Sequence, residues 1–170
     1  MSDRTPEYRG PVLLTTEHRT ESFDCGDASL NQWLRRRALR NQGDGSSRTW
    51  VVTLDDRVVG YYASSAAALA RSEVPGRMRR NQPDPLPAML LGRLAVDSEH
   101  QGRGLAGALL KHFLLKSLEV AQLTGLRLVL VHAKDRQVAN FYAHFGFESS
   151  PFDDLTLMLL IKDIQSAALA

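Results

Sequence analysis

Two neighbouring stretches, MLLGRLAV at residues 89–96 and QGRGLAG at residues 101–107, decide the fold class of this 170-residue chain. The first stretch is apolar except for Arg93, which predicts a buried strand. The second is rich in glycine and leads into apolar residues with helical spacing, up to about residue 122. Together they predict a strand, a tight turn and a helix. The start of such a helix presents free backbone N–H groups and suits a phosphate group.

The glycines at 102, 104 and 107 also match the G-x-G-x-x-G spacing of dinucleotide-binding domains. Those domains carry the motif on their first strand, whereas more than half of this chain precedes it, and too few residues follow to complete the sheet. A turn that needs glycine only for its backbone explains one or two of these glycines, but not three beside Gln101 and Arg103. Phosphate binding by the turn is therefore the preferred interpretation.

The segments on either side predict further alternation of strands and helices. Downstream, Leu126 to His132 predicts a buried strand, Arg136 to His144 a short helix and Leu155 to Ile164 a final strand. Upstream, a helix is expected from about 28 to 41, followed by a hairpin whose strands, Thr49 to Leu54 and Arg57 to Ala63, join at Asp55-Asp56. This order predicts an α/β or α+β sheet covered by helices, in a single domain over residues 1–170.

Two basic features stand out against this pattern. At about 100° per residue, Arg37 falls almost on the apolar stripe of the first helix, so we expect it to snorkel, pair with a carboxylate or serve a ligand. Residues 71–88 contain four prolines and several arginines, which predicts an irregular basic surface segment.

The composition excludes several classes of protein. Hydrophobic residues make up 44% and charged residues 24%, which are globular values, and the formal net charge is only +2. Cys25 is the single cysteine, so no intrachain disulfide can form. No signal peptide or membrane span is recognisable, and the five histidines show no metal-binding spacing. We expect a cytoplasmic protein with neither a membrane partner nor a metal.

Two motifs resemble those of a known superfamily. Leu94-Ala95-Val96-Asp97 followed by Gln101-x-x-Gly104-x-Ala106 resembles the acetyl-CoA pyrophosphate motif of the GNAT superfamily of N-acyltransferases, and residues 141–147 resemble its later motif. The resemblance covers about residues 89–148. It implies a mixed, splayed central sheet of six to seven strands flanked by about four helices, with acetyl-CoA as cosubstrate and no metal. The implied acetyl-CoA contacts are Leu94, Ala95, Val96, Gln101, Gly102, Arg103, Gly104, Leu105 and Ala106.

The same resemblance implies that Tyr142 donates a proton to the departing CoA thiolate. The alternative is that Tyr142 only completes an aromatic cluster with its phenylalanine neighbours. No buried carboxylate stands out as a general base, since Asp97 and Glu99 read equally well as turn residues. The superfamily often has Asn seven positions before this tyrosine, whereas this chain has Asp135, so no acetyl-CoA contact is assigned there.

The N-terminal half resembles a narrower group, the acetyltransferase toxins of bacterial toxin–antitoxin modules. The matching segments are Phe23-Asp24-Cys25-Gly26, Leu30-x-x-Trp33-Leu34, Arg37-Ala38, Asn41-Gln42 and Ser47-Arg48-Thr49. The resemblance implies acetylation of the amino group of aminoacyl-tRNA, which blocks translation. It also implies a ribbon-helix-helix antitoxin, a homodimer, and operator DNA contacted only through the antitoxin complex.

Arginines supply the candidate RNA-binding residues: Arg77, Arg79, Arg80 and Arg93, beside Arg35, Arg36, Arg37, Arg40 and Arg48. A solvated basic surface is the alternative for each of them, and a packing role is the alternative for Arg93 within its buried strand. Two other functions stay open. One is acetylation of a small amine or a protein N-terminus, and the other is a binding module that holds CoA without turnover.

Overall fold

The computed structural model describes residues 7–168, which contain seven strands and five α-helices. The strands are β1 (Arg9–Leu13), β2 (Arg48–Leu54), β3 (Arg57–Leu69), β4 (Leu86–Val96), β5 (Leu128–His132), β6 (Glu148–Ser150) and β7 (Asp153–Leu160). The helices are α1 (Ala28–Arg36), α2 (Ala38–Asp44), α3 (Leu105–Leu123), α4 (Arg136–His144) and α5 (Ile161–Ala168). The α/β prediction is confirmed, with five helices in the described residues where about four were expected.

All seven strands form one mixed sheet in the order β1-β2-β3-β4-β5-β7-β6. Strand β4 pairs with β5 in parallel, whereas β1 with β2, β2 with β3, β5 with β7 and β6 with β7 are antiparallel. The predicted hairpin is confirmed as β2 and β3. Its turn residues, Asp55 and Asp56, have φ angles of 51° and 65°, which is the backbone geometry that two-residue hairpins favour because it matches the twist of the strands.

The chain divides into two compact units. The first runs to Ser64 and includes Arg93–Phe113, and the second comprises Ser65–Gly92 and the residues from Leu114 onward. The core of the first unit contains Leu14, Phe23, Trp33, Leu34, Ala38, Val51, Val58, Tyr61, Ala63 and Ala95. The core of the second contains Leu69, Val74, Met78, Leu86, Ala88, Leu128, Leu130, Met158 and Leu160.

The first predicted helix is broken at Arg37, so the expectation that this arginine lies on an apolar stripe is wrong. Its φ of −119° departs from the helical value near −63°, and its N–H closes α1 by donating to the carbonyl of Trp33 at 2.8 Å. Helix α2 then starts at Ala38, so its side chains do not continue the helical spacing of α1. Arg37 is exposed as a result, while Ala38 is buried.

The last predicted strand is correct only up to Leu160, after which the chain forms α5. Ile161 and Ile164 are both buried, and a short apolar run is compatible with either a strand or a helix. Strands β1 and β6 were not predicted, since β1 is mostly exposed and β6 has only three residues. The predicted irregular segment is confirmed only up to residue 85, because β4 already begins at Leu86. Two short 3-10 turns anchor the segment through the buried side chains of Val74 and Met78.

Candidate active site

The carboxyl end of β4 is held in place by Asp97. Its N–H donates to the carbonyl of Val59 at 2.8 Å, and its two carboxylate oxygens accept from the backbone N–H groups of Asp24 and Glu99, each at 3.0 Å. Both oxygens therefore serve the backbone, which supports a turn role rather than that of a general base. Gln101 adds a second restraint, because its Nε2 donates to the carbonyl of Val96 at 3.1 Å.

The glycine turn between β4 and α3 is exposed from Gln101 to Gly104. Gly102 and Gly104 have φ angles of +77° and +81°, a region that favours glycine, and a Cβ at either position would meet no atom within 4 Å. Glycine is therefore required here by backbone conformation and not by crowding. Because α3 begins at Leu105 and has 19 residues, the turn leaves an accessible helix start with its partial positive charge, an arrangement suited to a phosphate.

Arg103 lies within this turn and is exposed. Its Nη1 donates to the hydroxyl oxygen of Tyr8 at 3.2 Å, and that hydroxyl is 2.8 Å from Nδ1 of His100. Sequence reasoning did not find Tyr8. No local signal could have found it, because Tyr8 is 95 positions from Arg103.

His100 also belongs to a small group of potential metal ligands. One ligand atom each of Asp97, Glu99 and His100 lie within 4.8 Å of one another. The Asp97 oxygens accept backbone N–H groups, and Nδ1 of His100 is bound by Tyr8. The protein's own contacts account for the ligand atoms of Asp97 and His100, so we assign no metal to the group.

Tyr142 lies on α4 in the second unit. Asp135 begins this helix by accepting the N–H of Val138 at 2.9 Å. Only 3% of Tyr142 is exposed, and its ring centroid lies 5.2 Å from that of Phe141 and 5.5 Å from that of Phe147. Burial raises the pKa of its phenol, since an apolar environment disfavours the charged form. The phenol therefore keeps its proton at neutral pH, which a proton donor requires.

Arg77 and Arg79 lie in the irregular segment of the second unit, and both make contacts within it. Arg77 forms a bidentate pair with Glu148, in which Nε donates to Oε1 at 2.7 Å and Nη2 donates to Oε2. The hydrogen bond that Arg77 donates to this carboxylate raises the pKa of its guanidinium. Arg79 donates to the carbonyls of Val74 at 2.8 Å and Ser72 at 3.2 Å. Both arginines and Arg80 are nevertheless exposed.

Arg93 lies in the first unit and is half-buried. Its guanidinium carbon is 4.3 Å from the ring centroid of Trp33, a cation–π contact. Trp33 is in turn stacked on Tyr61, with ring centroids 6.0 Å apart and planes inclined by 11°. This contact packs Arg93 against Trp33, which is itself 8% exposed and belongs to the core of the first unit.

Two other candidate arginines also bind backbone carbonyls close by. Arg35 donates to the carbonyl of Phe23 at 2.9 Å, and Arg48 donates to the carbonyl of Gln42 at 3.3 Å. Arg36 and Arg40 are exposed on α1 and α2. Within residues 7–168, no helix is both long and apolar enough to cross a membrane.

The sequence matches a known domain family over most of its length. Residues 45–149 match the family described as "Acetyltransferase (GNAT) domain". The chain is also 46% identical over 159 residues to a tRNA-acetylating toxin of Mycobacterium tuberculosis, an alignment that covers 94% of this chain and 96% of the relative. The chain therefore belongs to the GNAT acetyltransferase family. The expectation of an acyltransferase with acetyl-CoA as its acetyl donor is confirmed.

Solved structures of similar fold include two of the AtaT toxin. AtaT complexed with acetyl-methionyl-tRNAfMet has a TM-score of 0.87 and 23% identity, with coverage of 96% of this chain and 99% of that one. A tyrosine-to-phenylalanine mutant of AtaT, bound to the C-terminus of the antitoxin AtaR and to acetyl-CoA, has a TM-score of 0.81 and 22% identity, with coverage of 96% and 98%. These similarities confirm the GNAT fold that the two sequence motifs implied.

Proposed function

We propose that this protein is an acetyltransferase toxin that moves the acetyl group of acetyl-CoA to the α-amino group of aminoacyl-tRNA and so blocks translation in the cytoplasm. The observation that carries this proposal is the 46% identity to a tRNA-acetylating toxin, which extends over 94% of the chain. An identity confined to the acetyl-CoA motif would support any acetyltransferase. An identity over nearly the whole chain includes the parts that recognise the acceptor.

The acetyl-CoA contacts of this proposal lie at the end of β4 and in the glycine turn. Leu94, Ala95 and Val96 offer backbone groups to the pantetheine chain. The pyrophosphate is bound by the turn from Gln101 to Ala106, whose open glycines and helix start suit an anion. Arg103 adds charge-assisted hydrogen bonds. Backbone N–H groups near Val96 stabilise the negative charge that develops on the thioester oxygen.

In the proposed reaction, the neutral amino group of the substrate attacks the thioester carbon, the C–N bond forms and the C–S bond breaks. Tyr142 donates a hydrogen bond that strengthens as negative charge develops on the departing thiolate, and the thiolate then takes a proton from water. The attacking nitrogen releases its extra proton to water. An α-amino group has a pKa of about 7.7, so a substantial fraction is neutral at physiological pH. No dedicated general base is required.

The acceptor stem of tRNA is proposed to bind the exposed arginines of the irregular segment, Arg77, Arg79 and Arg80. Arg77 and Arg79 make hydrogen bonds within the second unit that limit the motion of their side chains. Less side-chain entropy is therefore lost when a phosphate binds. Arg93 joins this proposal through its position next to Leu94, with Trp33 holding its guanidinium in place.

The proposed partners are a ribbon-helix-helix antitoxin and a second copy of this chain. Operator DNA would be contacted only through the complex with the antitoxin. The support comes from the shared fold, because the AtaT toxin of the same fold is bound to the C-terminus of an antitoxin. Co-expression with any small reading frame that adjoins the gene, followed by sizing of the complex, tests these partners.

The decisive experiment offers labelled acetyl-CoA to total aminoacyl-tRNA and, in parallel, to the same tRNA stripped of its amino acids. We expect label only on the charged tRNA, released together with the amino acid by mild base. Transfer to neither pool, in a protein that binds acetyl-CoA, would contradict the proposal and favour a small amine or a protein N-terminus as acceptor.

A triple variant tests the RNA surface in the same assay. Replacement of Arg77, Arg79 and Arg80 by Ala should abolish tRNA acetylation while acetyl-CoA affinity is retained. The matched control replaces three exposed arginines of the first unit, Arg9, Arg19 and Arg57, and should keep the activity. If the triple variant acetylates tRNA as well as the control variant and the wild type do, the irregular segment does not bind tRNA.

A further inference from the structure

A hydrogen-bonded chain of three side chains, Tyr8, His100 and Arg103, spans the N-terminal segment and the glycine turn of the first unit. The hydroxyl of Tyr8 lies 2.8 Å from Nδ1 of His100 and 3.2 Å from Nη1 of Arg103. The rings of Tyr8 and His100 also meet edge to face, with centroids 5.6 Å apart and planes inclined by 84°. Two independent contacts therefore hold Tyr8 against the short turn that carries His100.

The direction of these hydrogen bonds follows from the chemistry of the groups. A guanidinium has only donors, so the oxygen of Tyr8 accepts from Arg103. Its own O–H then donates to Nδ1 of His100 when that nitrogen is unprotonated. The backbone N–H of His100 donates to the backbone carbonyl of Asp97 at 2.9 Å. Arg103 is thus connected, through Tyr8 and His100, to the rigid end of β4.

Without Tyr8, little in the fold would orient Arg103. The residue is exposed and lies between two glycines with positive φ, and no carboxylate among residues 7–168 forms an ion pair with its guanidinium. One Nη atom is bound by Tyr8, and the other N–H groups are left to bind an anion at the adjoining helix start. A long side chain that is already oriented loses less entropy when it binds.

We propose that Tyr8 is a positioning residue that orients the Arg103 guanidinium toward the pyrophosphate of acetyl-CoA. This inference rests on the proposed binding of the pyrophosphate at the glycine turn. Tyr8 acts through Arg103 and makes no contact of its own with the reacting atoms. Its removal therefore weakens the binding of ligands that carry the pyrophosphate and leaves the chemical step unchanged.

The test measures the affinity of the full chain for acetyl-CoA and for S-acetylpantetheine, which lacks the pyrophosphate, by calorimetry. Tyr8→Phe should raise the Kd for acetyl-CoA about threefold to tenfold, the effect of losing one hydrogen bond. The Kd for S-acetylpantetheine should not change. KM for acetyl-CoA should rise with kcat constant. In an Arg103→Ala background, Tyr8→Phe should have no further effect on either Kd.

A matched control is Arg19→Ala, which removes another exposed arginine of the first unit whose Nη2 donates to an oxygen, the carbonyl of Asp55 at 2.7 Å. It should leave both affinities unchanged. The inference would be overturned if Tyr8→Phe raised the Kd for both ligands by the same factor. It would also be overturned if the effects of Tyr8→Phe and Arg103→Ala on the Kd for acetyl-CoA were additive. A wild-type protein that binds neither ligand would instead contradict the proposed function.

Discussion

Burial raises the phenol pKa of both Tyr61 and Tyr142, yet their surroundings differ. The Tyr61 hydroxyl donates to the carbonyl of Leu30 at 2.8 Å. The Tyr142 ring packs between Phe141 and Phe147, and its pKa is raised by burial alone. A proton held on a buried phenol with such a high pKa is transferred uphill to a thiolate, whose pKa is about 8.5. Tyr142 is therefore best described as donating a hydrogen bond that strengthens as the C–S bond breaks.

Replacement of Tyr142 by Phe should lower kcat for acetyl transfer by about 100-fold or more, the usual cost of removing one hydrogen-bond donor to a charge that develops in the transition state. The change removes only the hydroxyl, so the affinity for acetyl-CoA and the thermal stability should be retained. Steady-state kinetics together with calorimetry check this.

The matched control is Tyr61→Phe, which removes a buried hydroxyl from the core of the first unit. That variant should lose about 1 kcal/mol of stability and keep its kcat. An unchanged kcat in Tyr142→Phe would leave this residue with a purely structural role in its aromatic cluster.

Among the structural elements, the connection from β4 to α3 combines a restrained frame with an accessible turn. Asp97 and Gln101 fix the end of the strand by hydrogen bonds. The buried side chain of Leu109 anchors the first part of α3. It packs so closely on Gly60 that a Cβ at that position would lie 3.1 Å from the Cδ1 atom of Leu109. Only the glycine turn between these anchors is exposed. Such a frame presents the helix start to a ligand with little need for rearrangement.

Gly104→Ala should weaken acetyl-CoA binding about tenfold and lower stability by about 1 kcal/mol, because alanine at a φ of +81° is strained. Any relief of that strain rotates the backbone N–H groups that bind the phosphate. Calorimetric titration and thermal unfolding measure the two effects.

Gly43→Ala provides the matched control, because Gly43 is within α2 and a Cβ there meets nothing within 4 Å. The substitution should be neutral or stabilising by up to about 1 kcal/mol, with unchanged affinity. If Gly104→Ala behaves like Gly43→Ala, the conformation of the turn is not important for binding.

For the whole molecule, the buried phenols of Tyr61 and Tyr142 contribute to the response of stability to alkaline pH. Both have a folded-state pKa above the unfolded value of about 10. Below pH 10 they carry their protons in both states, so they contribute no pH dependence. Above pH 10 the unfolded chain releases these protons while the folded chain retains them. The unfolded state is then favoured as pH rises.

The free energy of unfolding should therefore fall above pH 10 by about 1.4 kcal/mol per pH unit for each buried tyrosine. Urea denaturation between pH 8 and pH 11 measures this decline. The double variant Tyr61→Phe and Tyr142→Phe corrects for all other titrating groups. Parallel curves for the wild type and the double variant would mean that neither phenol is held neutral by the fold.

Elements that depend on a few neighbouring residues can be predicted from the sequence alone. Glycines at 102 and 104 beside an apolar strand and an apolar helix were sufficient to predict the strand, turn and helix, because backbone conformation and hydrophobic spacing act over a few residues. The hairpin around Asp55-Asp56 and the helix from Arg136 to His144 were predicted for the same reason. The two motifs are also sufficient to indicate the GNAT family.

The tertiary structure alone decided which side chains meet. Tyr8 contacts Arg103, Arg77 pairs with Glu148, and Arg93 stacks on Trp33 across 95, 71 and 60 positions of sequence, respectively. No local pattern encodes such distant contacts. The break at Arg37 and the conversion of Ile161–Ala168 to a helix were decided in the same way, since the local pattern allowed more than one structure there. Burial in the folded core selected between the alternatives.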